Sequence, residues 1–215
     1  MLLITSVAAY AQKDVTQFLG IPVDGYKAEL IKKLKSKGFT SNQYNEDILD
    51  GEFNGKNVNI FFGTNNNKVW RIAVSDVDLT NETNIKIRFN YLIQQFKDNN
   101  RYLNETDSTL TKYTISNEED ISHEITFNKK RYEAIFYQKS LKYDSLIEEY
   151  ANLIAKDTLN AEEKKKLNDI NSVAEEEVVK SLNKLVWFMI KEDYGKYRIV
   201  IFYENSYNKA NGDDL

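Results

Sequence analysis

The 215-residue sequence contains no cysteine. That excludes disulfides, thiol nucleophiles, zinc–thiolate sites and a lipidated cysteine at once. A single histidine, His123, rules out a His-rich metal cluster, and a single proline, Pro22, argues against long disordered linkers. There is no excess of basic charge: 29 Lys and Arg stand against 33 Asp and Glu, a net charge of −4. Charge runs such as Glu162-Glu163-Lys164-Lys165-Lys166 mix both signs and read as a solvated helix face. A nucleic-acid binder carries a basic stripe, so no nucleic-acid partner is expected. The phosphate cradles G-x-G-x-x-G and G-x-x-x-x-G-K have no match, and neither does the nucleophile elbow G-x-S-x-G. No cofactor and no metal are implied. No apolar run reaches the roughly 20 residues that a bilayer crossing needs, so the chain is not expected to span a membrane.

What is present suits a folded domain. With 41% hydrophobic and 29% charged residues, a chain of this length buries roughly 70% of its unfolded surface. The N-terminus, MLLITSVAAYAQKD, is an uncharged apolar run ending in Ala9-Tyr10-Ala11. That matches the apolar region and small-x-small cleavage site of a secretory signal, with a cut before Gln12. It lacks the charged leading region, as in a truncated signal; the competing reading is a buried N-terminal strand. The product is expected to be exported, periplasmic or extracellular, and not lipid-anchored.

Periodicity then alternates between helix and strand. Asp24 is placed to cap a helix over about 25–37, with Tyr26, Leu30, Ile31 and Leu34 on one stripe and Gly38 as its stop. ILDGEF, NVNIFF and VWRIAVS, joined through Asn54-Gly55 and GTNNNK, predict a three-stranded meander over Ile48–Ser75. A second helix over about 81–99 aligns Ile85, Phe89, Leu92 and Phe96. LTKYTIS, ISHEITFN and RYEAIFYQ read as further short strands. Two helices follow over Ser140–Lys184: Leu146, Tyr150, Leu153 and Ile154 form one stripe, and Leu167, Ile170, Ala174, Val178 and Leu182 the next, with Asn160 as a cap. The closing hairpin, VWFMIKEDYGKYRIVIFYEN, is apolar on both faces. Pairing Glu192 with Lys196 puts Val186, Phe188, Ile190, Val200 and Phe202 on one face. Trp187, Met189, Tyr197, Ile199, Ile201 and Tyr203 fall on the other. One wet side would alternate apolar with polar, so the inserted helical pair is expected to cover part of the second face.

The fold class expected is α+β: an antiparallel sheet of about seven to eight strands from two helix–meander units, with helices packed on it. The units run over about 20–78 and 80–204, within one domain over 12–204; the helical insertion spans 140–184, a polar tail 205–215 and the signal 1–11.

Few residues suggest a site. His123, in phase with Ile121, Ile125 and Phe127, is expected opposite Phe136 on an apolar face as a core histidine. Glu124 and Glu133 share the other face of that hairpin, where a carboxylate pair serves glycosidases, but exposed strand faces commonly carry acids. Asp76, Asp78, Thr80 and Glu82 have the spacing that opens a calcium loop, yet Asn81 and Ile87 replace the required glycine and glutamate. No catalytic residue is therefore nominated. The candidates for a recognition surface are Trp70, Trp187, Tyr197 and Tyr203, because aromatics left exposed are favoured at interfaces.

FLGIPVDGYKAELIKKLKSKGF, KVWRIAV and VWFMIKEDYGKYRIVIFYENSYNKANGDDL, the last ending in ANGDDL, together resemble a family of small uncharacterised exported proteins of gut Bacteroidetes. The helix-then-meander order is similar to β-lactamase-inhibitor-like (BLIP-like) and PepSY-like proteins. That resemblance implies helices on one side of an antiparallel sheet and action by protein binding. The chain departs from them in its inserted helical pair and, relative to the inhibitor, in its lack of disulfides. Asp107-Ser108-Thr109, Asp144-Ser145-Leu146 and Asp157-Thr158-Leu159 resemble the O-glycosylation acceptor pattern of that phylum. The function expected is an exported non-enzymatic binding module whose partner is another envelope or extracellular protein. The alternatives are a carboxylate-based hydrolase of envelope or dietary polymer and a structural envelope component.

Overall fold

Three two-residue turns organise the main sheet. Asn54-Gly55, Asn66-Asn67 and Tyr194-Gly195 each place two successive residues in the left-handed region, a backbone whose twist matches that of paired strands. In this computed structural model, which describes residues 14–103 and 113–210, they close three hairpins. The expected signal at 1–11, the tripeptide Asp107-Ser108-Thr109, residues 110–112 of LTKYTIS and the end of the ANGDDL segment lie outside the described residues.

The chain begins with a small hairpin, β1 (Gln17–Phe18) and β2 (Ile21–Pro22), then α1 (Lys27–Lys35) and β3 (Thr40–Ser41). The first meander is β4 (Leu49–Phe53), β5 (Lys56–Asn65) and β6 (Lys68–Asp76), followed by α2 (Glu82–Asp98). Next come α3 (Ile121–Thr126), β7 (Glu133–Tyr137), α4 (Tyr143–Ile154) and α5 (Ala161–Leu182). The chain closes on β8 (Leu185–Asp193) and β9 (Lys196–Glu204). The seven main strands form one antiparallel sheet in the order β3-β4-β5-β6-β9-β8-β7, so the fold is α+β as expected. The β6–β9 ladder, Arg71 opposite Glu204 through Ser75 opposite Val200, joins the two meanders edge to edge.

Helices α1 and α2 bury their stripes in one core with the inner face of this sheet. Leu30 and Leu34 of α1 and Ile85, Phe89, Leu92 and Ile93 of α2 join Ile60, Ile72, Val186, Phe188 and Ile201. Fully burying each such side chain is worth about 1.5–3 kcal/mol. Gly38 ends α1 with a left-handed residue, its N–H on Lys35 O and the Phe39 N–H on Leu34 O, the paired closure of a Schellman stop. Asp24 does not cap this helix. It accepts from its neighbour Gly25 N and from Asn208 Nδ2, and the N-cap position falls to Tyr26.

Three further expectations are corrected. The closing hairpin pairs Asp193 with Lys196 and Glu192 with Tyr197, not Glu192 with Lys196. Its turn is the two-residue Tyr194-Gly195, and a slip of one residue exchanges the faces of an entire strand. Val186, Phe188, Ile190, Tyr197, Ile199, Ile201 and Tyr203 therefore all point inward and are buried. Trp187, Met189, Val200 and Phe202 point outward.

The segment ISHEIT is a helix, because the Asp120 side chain accepts from His123 N at 2.8 Å and caps it. Ile121 and Ile125 satisfy helical spacing as well as strand alternation. His123 accordingly lies on the surface, its side chain 56% exposed and its ring 4.9 Å from Phe127. The described part of LTKYTIS forms no strand either; Asn90 caps both sides of Ile115, accepting from its N and donating to its O.

The inserted pair keeps its own seam. Helix α5 turns Leu167, Ile170, Ala174, Glu177 and Ser181 inward, at heptad spacing, whereas Val178 and Leu182 are 38% and 48% exposed. Leu153 and Ile170 are buried outside the main core. The expected stripe drifted to Val178 and Leu182 because it followed apolar identity; the helix follows its seam through Glu177 and Ser181. This arm continues no part of the main core, and the outer face of the sheet stays partly open.

Candidate functional site

The outer face of the sheet carries an apolar row set by register. Phe61 faces Ala73, Ala73 faces Phe202, Phe202 faces Trp187 and Trp187 faces Ile135, a line crossing five strands. Phe61 is 41% exposed and the rest of the row half-buried. Trp187 and Phe202 stack with ring centroids 4.1 Å apart and planes 19° from parallel. Such a cross-strand aromatic pair is worth about 0.2–1 kcal/mol beyond an alanine pair.

Beside the row, on the same two strands as Ala73 and Phe202, lies a charge pair. Arg71 donates to Glu204 Oε1 at 2.5 Å, and the Trp187 indole N–H donates to the same oxygen at 2.7 Å. Glu204 is almost sealed, its side chain 5% exposed, while Arg71 keeps 29% of its side chain in water. The guanidinium carbon sits 4.2 Å from the Trp70 ring centre and 5.0 Å from that of Phe202, within cation–π range. The Arg71 Nε is buried without a partner among the described residues. Lys209 adds a second cation 5.8 Å above Trp70.

A bulge makes this arrangement possible. Gly63 pairs with Arg71 and Thr64 with Val69, leaving Trp70 as an extra residue on β6. Strand alternation alone would send Trp70 and Arg71 to opposite faces; the bulge brings them together. Gly63 leaves room for the indole, since a Cβ there would approach Trp70 Nε1 and Arg71 Cβ to 3.2 Å.

The four nominated residues thus divide. Trp70 and Trp187 both flank Arg71. Tyr197 is 2% exposed on the inner face, its backbone bridged to Thr80. Tyr203 is 5% exposed on the same inner face, its ring 4.9 Å from Phe18, and burial pushes its hydroxyl well above the usual tyrosine range. Sequence reading missed Arg71, Phe61, Phe202 and Glu204. A glycine inside a strand pattern, here Gly63, is the signal that marks a bulge, and it would have put Arg71 beside Trp70.

The acid pair does not converge. Glu124, on α3, accepts from Asn128, while Glu133, on β7, pairs with Arg131. Asp76 is committed to Arg88 through two bonds of 2.6 and 2.7 Å, and Glu82 accepts from the Ile121 N–H. Chemically, the outer face offers apolar area, an indole ring and one partly neutralised guanidinium edge. Compared with protein-family models, curated proteins and solved structures, the chain matches none. No helix among the described residues is long and apolar enough to cross a membrane.

Proposed function

We propose that this protein is an exported, non-enzymatic recognition module that binds another envelope or extracellular protein across the outer face of its sheet. The observation that carries the reading is the Phe61–Ala73–Phe202–Trp187–Ile135 row, flanked by Arg71 and Trp70. Tryptophan and arginine dominate the energetics of protein interfaces, and a half-exposed aromatic row with a guanidinium at its edge supplies both. Export rests on the apolar residues 1–11 with their Ala9-Tyr10-Ala11 cut site, and on the resemblance to exported proteins of gut Bacteroidetes. The likeness to protein-binding BLIP-like and PepSY-like folds points the same way.

The test compares the tagged chain with Phe61→Asp and Phe202→Ser variants in pull-downs from the native envelope fraction. A protein retained by the wild type and lost by both variants supports the reading. Equal retention by all three, or a chain that stays uncut in the cytoplasm, overturns it. The acid pair weighed for the hydrolase alternative, Glu124 and Glu133, is engaged with separate neighbours, Asn128 and Arg131, and no particular contact favours the structural one.

A further inference from the structure

The α4–α5 arm has a thin core and two unlike flanks. Its buried apolar residues are Leu153 and Ile170, and α4 is 12 residues long. Helices of that length depend on packing of an amphipathic face rather than on propensity. On one side of the seam α4 carries Ser145, Glu149, Asn152 and Lys156, and Glu149–Lys166 and Lys156–Glu163 tie it to α5 there. On the other side α4 exposes Ile147, Ala151 and Ile154.

Helix α5 continues that second flank. Across its seam from Lys166 runs a row of exposed residues, Lys164, Asn168, Asn171, Glu175, Val178 and Leu182, at alternating intervals of four and three. That spacing keeps to one helical face. The two ion pairs also fix the relative heights of the antiparallel helices. Ile147 stands level with the interval between Asn168 and Asn171, and Ile154 with Lys164. The ion pairs of α5 join Lys166 to Glu149, Glu163 to Lys156, and Lys180 to Glu176 and Glu177; they use neither Lys164 nor Glu175.

This flank is complementary to itself. When it is laid antiparallel on a second copy, about a two-fold axis midway between Asn168 and Asn171, Lys164 meets Glu175 of the second copy and Asn168 meets its Asn171. The same operation sets Ile147 on Ile147 and brings Ile154 to the height of Val178. The axis makes the ion pair and the amide pair twice, and an asparagine in such a seam fixes register. Leu182 falls past the overlap. An overlap over 161–178, about 27 Å long and about 20 Å wide, covers on the order of 500 Å² of each copy, about 1,000 Å² in all, the lower end for a specific interface.

We propose that the α4–α5 arm is a self-association surface, which pairs antiparallel with the same arm of a second copy to form a four-helix bundle. Each arm joins its sheet at β7 and β8, so the two sheets sit at opposite ends of the bundle. The inference rests on the arm and not on the outer face of the sheet.

The experiment is sedimentation velocity of the purified full chain over a dilution series, with thermal melting to check that every variant is folded. The expected result is a mass that rises from 25.1 kDa to twice that value, with a dissociation constant of about 1–100 μM for so small an overlap. Ile147→Asp weakens the dimer about tenfold or more. Lys164→Glu and Glu175→Lys each weaken it about threefold or more, and the two together restore it. Asp169→Asn, away from this flank on α5, leaves it unchanged. A monomer at every concentration, growth past the dimer, a dimer untouched by folded Ile147→Asp, or a double reversal no better than either single one overturns the proposal. Because these substitutions lie outside the outer face of the sheet, loss of the dimer leaves the pull-down result standing, and the reverse.

Discussion

Arg71 and Glu204 face each other across the β6–β9 ladder, 2.5 Å apart, at the seam where the two meanders become one sheet. The carboxylate also holds the Trp187 indole at 2.7 Å. Removing one partner of a nearly sealed charge pair leaves the other without compensation. Arg71→Ala is expected to cost about 2–4 kcal/mol in urea unfolding, since it strands the nearly sealed Glu204 carboxylate. Glu204→Ala should cost less, since the arginine it leaves is the wetter partner, and an equal or larger loss there would contradict this assignment.

Gly51 lies against the ring of Phe39. A Cβ at Gly51 would come within 2.3 Å of Phe39 Cδ1, and Phe39 is itself buried. Overpacking of this kind costs about 1–3 kcal/mol. Gly51→Ala should therefore destabilise, and the double variant with Phe39→Leu should recover part of the loss in a double-mutant cycle.

The seam of the α4–α5 arm makes a paired prediction. Ile170→Ala should cost about 2–4 kcal/mol by thermal melting, since Ile170 is buried. Leu182→Ser should stay within about 0.5 kcal/mol, because that side chain is 48% exposed. The opposite ranking would restore the stripe through Val178 and Leu182.

Acid and alkali should each loosen this arm. Burial raises the Glu177 carboxyl, but the hydrogen bond and charge of Lys180 outweigh it and hold the group below its ordinary 4.5. A lowered folded value stabilises above the unfolded pKa and is lost as pH falls through the folded one. Lys180 is raised to about 12, first by its bond to Glu177, so its contribution is whole below 10.5 and lost as pH rises through about 12. The Tm gap between wild type and Glu177→Gln is expected to be widest between these limits. It should narrow below about pH 4.5 and above about pH 11; a gap independent of pH would count against the pair.

Much of the architecture was readable because its determinants are local. Asn54-Gly55 fixed a hairpin, Gly38 a helix stop, and Asn160 a capping box with Glu163 that the structure contains. The outer surface was harder to read because it depends on single-residue offsets. Tyr194-Gly195 shifts β9 by one place, and the bulge at Gly63 returns Trp70 to the face of Arg71. The ISHEIT segment was misread because isoleucines four apart fit either period, and the Asp120 cap decided it.

The sequence by itself determined that this is an α+β chain without thiol chemistry, with a first helix-and-meander unit and an amphipathic helical insert. Those properties follow from residue identity and spacing over a few turns or strands. Only the tertiary structure decided which aromatics share a surface, because register and bulges are selected by the packing of the whole sheet. It alone sent Trp187 outward to Arg71 and buried Tyr197 and Tyr203 against the core.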